Sequence, residues 1–328
     1  MLALTPVTLK FHSHASVLLV VGGLAVFFWW AFTRLGPTLV AHGEVVATTR
    51  QKQWVIAGLV WTFVFSYWPI HDIAEKYLFL VHMLQHSVFT MVAPACFLLG
   101  APSWLWRWVI EKPVLGAAVR FGSKPIVSLL LFNALIAGTH WPKLVEKSLH
   151  NEWFHFSIHF VLFSAATLMW MPVINREPEL TRLKAPAKMM YLFAQSIVPT
   201  VPASFLAMSK TVMYPTYARA GRLIHGFDAV GDQQIAAAIM KLGVGSMLWG
   251  IVGYHFANWW RDTNAGLADD NVRVVKSGPV GSVRVAGMTI SGGRVGERPA
   301  TSTAEEVLTW DQVEAEFARL DAAAPPVS

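Results

Sequence analysis

Two histidine pairs, His82-x-x-x-His86 and His155-x-x-x-His159, have the residue type and spacing for metal chemistry in this chain of 328 residues. On a helix, four residues rise about 6 Å and complete nearly a full turn, so both imidazoles of a pair leave one face and can share an ion. The same spacing underlies the paired histidines of helical zinc sites. A lone histidine in an apolar helix is ordinarily a packed residue bonded to a backbone carbonyl, and His255 reads that way. Two pairs are harder to assign to packing, because ionisable groups inside apolar spans are costly and mark function. His71 ends the second apolar segment and His140 the fourth, and Met83 sits between the paired histidines, so these three join the candidate ligands. Imidazole suits copper, zinc and iron, and thioether favours copper(I). The single cysteine, Cys96, excludes a disulfide, a thiolate site or a CxxC pair within the chain. Copper is the expected metal and zinc the second.

The elements that must carry these residues are membrane helices. The chain is 54% hydrophobic and 14% charged, with fifteen Trp, whereas about a quarter of the residues in a soluble domain are charged. Seven apolar segments, about 16–33, 54–70, 78–99, 125–141, 153–174, 187–209 and 233–260, approach the ~20 residues that cross a bilayer. The fold class expected is all-α: a polytopic bundle of seven transmembrane helices over residues 1–260, with a cytoplasmic tail over 261–328. No small-residue cleavage site follows the first span, which reads as retained rather than as a signal peptide.

Loops 34–53, 103–125 and 175–188 hold eleven Lys and Arg against seven in the N-terminus and the other loops. The richer side stays cytoplasmic, placing the N-terminus outside and the C-terminus inside. The net charge of +6 is therefore a topology signal, not a nucleic-acid footprint. With that orientation ten of the twelve histidines face outward, and only His42 and His255 fall toward the cytoplasm. The tail turns polar and Gly-rich after Arg261, reading as a flexible segment. It regains a helical pattern near 303–321, where Trp310, Val313, Phe317 and Leu320 share one face behind a capping-box spacing. Pro199 and Pro202 are expected to kink the sixth span and shape a cavity. Ser246, Gly250, Gly253 and Ala257 suggest a close-packing face on the seventh. Lys241, in the same span, must snorkel, pair or line a polar cavity.

These segments resemble the CtaG-type cytochrome c oxidase assembly factors of bacterial membranes. The likeness is carried by His82-Met-Leu-Gln-His86 running on to Val92-Ala-Pro-Ala-Cys-Phe-Leu-Leu-Gly-Ala-Pro102, by Thr139-His140-Trp141-Pro142, and by His155-x-x-x-His159 with Trp170-Met-Pro172. Met213-Tyr-Pro-x-Tyr217 and Asp232-Gln-Gln-x-x-Ala-Ala-x-Ile-Met240 extend it, so it covers about residues 12–260 in order. Lys241 departs from the pattern, standing where an apolar or aromatic residue is expected. The resemblance implies a non-enzymatic protein that matures a haem-copper oxidase by supplying copper, with an oxidase subunit or other assembly factors as partners and the lipid bilayer as its surroundings. His82, His86, His140, His155 and His159 fall on the family's motif positions.

Other classes fit the same residues. A membrane-embedded di-iron or zinc metalloenzyme would also use HxxxH pairs, but histidine boxes of that kind include adjacent histidines, and this chain has no His-His dipeptide. A haem b protein would take one His from each of two spans. A copper transporter would need a stack of Met or His leading to the cytoplasmic face. Oligomeric state is not readable from the sequence.

Overall fold

A computed structural model describes residues 11, 13–175, 177, 179–270, 282–285 and 288–291. The amphipathic pattern at 303–321 and His12 lie outside the described residues. The chain divides into two units, Met1–His255 and Phe256–Ser328.

The first unit is helical. Its elements are α1 (Ala15–Leu39), α2 (Thr49–Ser66), α3 (Ile70–Lys76), α4 (Phe79–Gly100), α5 (Ser103–Ile110), α6 (Pro113–Gly122), α7 (Pro125–Thr139), α8 (Pro142–Leu149), α9 (Glu152–Ile174), α10 (Ala185–Met208), α11 (Pro215–Arg219) and α12, which starts at Ala229 and runs on to Asn264. Proline begins α6, α7, α8 and α11, a position where its missing N–H costs nothing and its fixed φ suits a helix. In the second unit, β1 (Ser282–Val285) pairs antiparallel with β2 (Met288–Ser291), a hairpin that the Gly-rich composition did not suggest.

Among the described residues five helices, α1, α4, α9, α10 and α12, are long and apolar enough to cross a membrane. The chain is a multi-pass membrane protein. The second expected span is broken between α2 and α3, and the fourth, 125–141, is α7 alone, with α6 forming a bent pair ahead of it. α2 and α3 meet at 47°, and α6 and α7 meet at 87°. The apolar run at 54–70 thus becomes a helix ending at Ser66 and a separate short helix that carries His71.

Close packing is set by small residues facing aromatic ones. A Cβ at Gly58 of α2 would sit 3.0 Å from the Phe97 ring of α4, and Phe97 stacks on Phe28 of α1 with ring centres 5.6 Å apart. A second core gathers Phe132, Leu162, Ala166, Met169 and Trp170 between α7 and α9. Here a polar ladder joins three helices. Asn133 donates to Gln195 Oε1 at 2.7 Å, Gln195 donates to Tyr191 Oη at 3.0 Å, and Tyr191 donates to Met169 O at 2.8 Å. Satisfying these groups against one another is what lets amides sit in an apolar interior.

One expectation about the seventh span changes. Gly250 and Gly253 have nothing within 4 Å of an added Cβ, so the small-residue face of α12 is not a packing seam within the first unit. Lys241 is exposed and lies in a π-helical stretch, Ile239–Gly243, as snorkelling requires. Comparable π stretches occur at Ala31–Leu35 and, immediately after the first histidine pair, at Val88–Val92. Such bulges cluster at functional sites.

Candidate metal centre

Both histidine pairs ride on the anchored starts of their helices. α9 is capped by Asn151, whose side chain accepts from the Phe154 N–H at 2.9 Å. α4 has no cap of its own. Its free N–H groups are taken instead by a residue 153 and 152 positions away: Asp232 of α12 accepts from Phe79 N at 2.7 Å and from Leu80 N at 2.9 Å. Asp232 is fully buried. A carboxylate is the group that the positive end of a helix favours. Its neighbour Gln233 accepts from Met213 N at 2.8 Å and donates to Leu206 O at 3.1 Å. The Asp-Gln pair therefore holds α4, α10 and the Met213 loop together beneath the first histidine pair.

The four paired imidazoles close into a ring. Centroids are 4.5 Å apart for His82 and His86, 4.6 Å for His86 and His159, 4.4 Å for His155 and His159, and 5.7 Å for His82 and His155. Two imidazoles on one tetrahedral ion stand about 5 Å apart by centroid, given metal–nitrogen bonds of about 2.1 Å. The cluster is on that scale. His140 adds a fifth ring 6.4 Å from His86. These histidines and Met83 line one void of about 10 Å³, about the space of a single water-sized sphere.

Within this cluster, His82 Nδ1, His140 Nε2, His155 Nε2 and His159 Nε2 are buried without a hydrogen-bond partner. His155 Nε2 lies 3.2 Å from Glu75 Oε1, at ion-pair distance but without hydrogen-bond geometry. A buried orphan nitrogen costs about 1–3 kcal/mol, so four around one void are expensive unless something meets them. His140 is oriented for such a partner. Its Nδ1 is 2.6 Å from Ile136 O; a carbonyl can only accept, so Nδ1 carries the proton and Nε2 keeps the lone pair that a metal takes. Neutral imidazoles with a thioether beside them suit copper or zinc. The donor chemistry fits. The arrangement is not closed: among the described residues no group of three or more His, Cys, Asp and Glu side chains is placed to hold an ion. Ligation requires the rings to turn inward.

At the rim, the sixth expected histidine, His71, does not line the void. It belongs to a set reaching outward from His155. Gln85 Nε2 is 3.0 Å from His71 Nδ1; the amide nitrogen can only donate, so His71 carries its proton on Nε2, which lies 3.2 Å from Glu75 Oε1. Beyond it, His14 Nε2 is 2.9 Å from Asp72 Oδ2, and Lys76 pairs with the other oxygen of Asp72. Glu75 was not singled out from the sequence, and Gln85 and Asp232, which stand within the quoted motifs, were given no role at this site. The spacing of Glu75, four after His71 on one helix, was the available signal.

Two tyrosines brace the floor. Tyr214 donates to His140 O at 3.0 Å and Tyr217 donates to Ala74 O at 2.7 Å. Burial pushes the Tyr217 phenol well above its ordinary value, so it remains a donor at any physiological pH. Tyr217→Phe is expected to cost about 1–2 kcal/mol, leaving the Ala74 carbonyl unpaired. A thermal unfolding curve in detergent checks this, and an unchanged midpoint would refute it.

Other expected neighbours stay away. Met208 is 82% exposed and takes no part, whereas Met213 packs against the cluster of Phe79 and Met83. His150 and His225 are exposed. Cys96 is buried further along α4 and does not line the void. The break at Pro199 in α10 does shape a cavity, as its residues suggested. A second void of about 40 Å³, lined by Pro199, Met83, His86, His140, Met91 and Met240, adjoins the histidine cluster.

Among known proteins, the sequence model of one family, described as cytochrome c oxidase caa3 assembly factor, matches residues 26–262. No curated protein and no solved structure matches the chain.

Proposed function

Because the chain belongs to the cytochrome c oxidase caa3 assembly factor family, we propose that it does its part in oxidase assembly by carrying copper. It holds the ion at the histidine cluster and releases it to an oxidase subunit. The observation that carries this reading is the convergence of His82, His86, His140, His155 and His159 from three helices on one void, four of them with a buried nitrogen that has no hydrogen-bond partner.

The reading adopts seven spans, counting each bent pair as one, with the N-terminus and the histidine end outside and the C-terminus in the cytoplasm. Copper is the cargo. The neutral imidazoles supply lone pairs, Met83 a thioether, and the apolar walls of α4, α7 and α9 exclude competing water. Delivery is ligand exchange: each imidazole that lets go is replaced by a donor of the receiving subunit, with no change in electron count. A void of about 10 Å³ admits an ion and not a macrocycle, which favours this reading over a haem b site.

Purified protein is expected to retain about one copper per chain, and His82→Ala with His86→Ala to weaken binding by at least about a hundredfold, beyond the 10–100-fold that outer-shell changes cause at metal sites. Equilibrium dialysis against copper(I) measures this. Undiminished binding in the double variant would sink the site.

A further inference from the structure

We propose that His71, Glu75 and His155 form a second, outer metal-binding station, through which an ion enters the buried cluster. The inference rests on the reading of the cluster as a metal carrier and adds an entry step to it. A single carboxylate oxygen, Glu75 Oε1, lies 3.2 Å from His71 Nε2 and 3.2 Å from His155 Nε2. Two donors that each sit about 2.1 Å from a shared ion are about 3.2–3.4 Å apart at angles of 100–110°. Two of the three ligand separations therefore already match. The third is wide: the His71 and His155 rings are 6.3 Å apart by centroid, about 1 Å more than two imidazoles on one tetrahedral ion. A turn of His71 about its side chain closes that gap.

Exposure runs in the order an entering ion would need. The side chains of Glu75, His71 and His155 are 24%, 16% and 8% exposed. The other carboxylate at the rim, Asp72, is already committed to Lys76 and His14. Glu75, by contrast, faces imidazoles on both sides. Two imidazoles and one carboxylate make an N,N,O set that takes copper, the cargo, and equally Zn²⁺, which serves as a probe that cannot change its oxidation state.

His155 is the shared member. It touches Glu75 on one side and stacks on His159 on the other, with ring centres 4.4 Å apart. An ion held by His71, Glu75 and His155 can keep its bond to His155 while Glu75 and His71 leave and His159 and His82 take their places. Binding releases the Nε2 proton of His71, which passes to solvent at the exposed rim. No electron moves in this exchange.

The test is Zn²⁺ equilibrium dialysis of the full-length protein in detergent. His82→Ala with His86→Ala should leave residual binding at the outer station, and adding Glu75→Gln, which keeps size and removes charge, should weaken that residue by at least about tenfold. His71→Gln should do the same, and serves if the Glu75 variant does not fold. Residual binding unaffected by both rim substitutions, or none left in the double-alanine protein, overturns the outer station. If the native protein binds Zn²⁺, and the double-alanine protein and the native protein bind it equally with both losing it on Glu75→Gln, the outer station stands and the buried cluster falls. If no variant nor the native protein binds the ion, both fall.

Discussion

A strain carrying alanine at His82, His86, His155 and His159 accumulates the protein but makes cytochrome c oxidase with at least about tenfold less copper. The size follows from removing ligands outright, when loss of an outer-shell partner alone costs about 10–100-fold in metal affinity. All four rings border the same void, so the residual site keeps only His140 and Met83, too few donors for a stable ion. His82 and His155 are buried, and their truncation also opens space in the bundle. For that reason oxidase copper must be compared with the amount of variant protein in the membrane. A conservative set with glutamine at the four positions keeps most of the volume and should give the same copper loss. Oxidase with normal copper in a strain that retains the variant would return these histidines to a packing role.

Asp232→Ala is the second large effect, and it falls on stability. The carboxylate accepts two backbone N–H groups at the start of α4 while fully buried. Hydrogen bonds to a charged group are worth about 1.5–3 kcal/mol each, and the donors left behind have no other cap. A loss of about 3–5 kcal/mol follows, which lowers the unfolding midpoint by roughly 6–20 °C in a chain of this size. Asp232→Asn keeps one acceptor oxygen and should fall by about half as much. The two variants are separated by melting curves in detergent. Because α4 carries His82 and His86 in its first two turns, Asp232→Ala should also weaken copper binding, whereas a substitution of equal cost in the remote core of α1, α2 and α4, such as Phe28→Ala, should not. Native-like melting of Asp232→Ala would mean that α4 is held by packing alone.

That this chain lives in a bilayer was legible in its residues, because its apolar runs are long and its charges few. So was the meeting of the two histidine pairs. The i, i+4 spacing of His82 with His86 and of His155 with His159 is a property of the helix, and matched depth on neighbouring spans brings the pairs to one level. Family membership was legible for the same reason, through motifs of local spacing. The tertiary structure alone decided the rest. Bends at Ser66 to Ile70 and Gly122 to Pro125 depend on where a helix finds partners, so the second apolar run, which read as a simple span, became a broken one, and the fourth gained α6 at a bend ahead of it. His71 was drawn off the void by Glu75, four residues on in its own helix, and by Gln85 of α4, a contact between elements that no period in the chain encodes. Asp232 reads as one more residue at a helix start, and only the fold places it over the free N–H groups of α4, 152 and 153 residues away. Local geometry is written in short spacings; which helix end lies beneath which carboxylate is set by how the whole bundle buries its apolar surface.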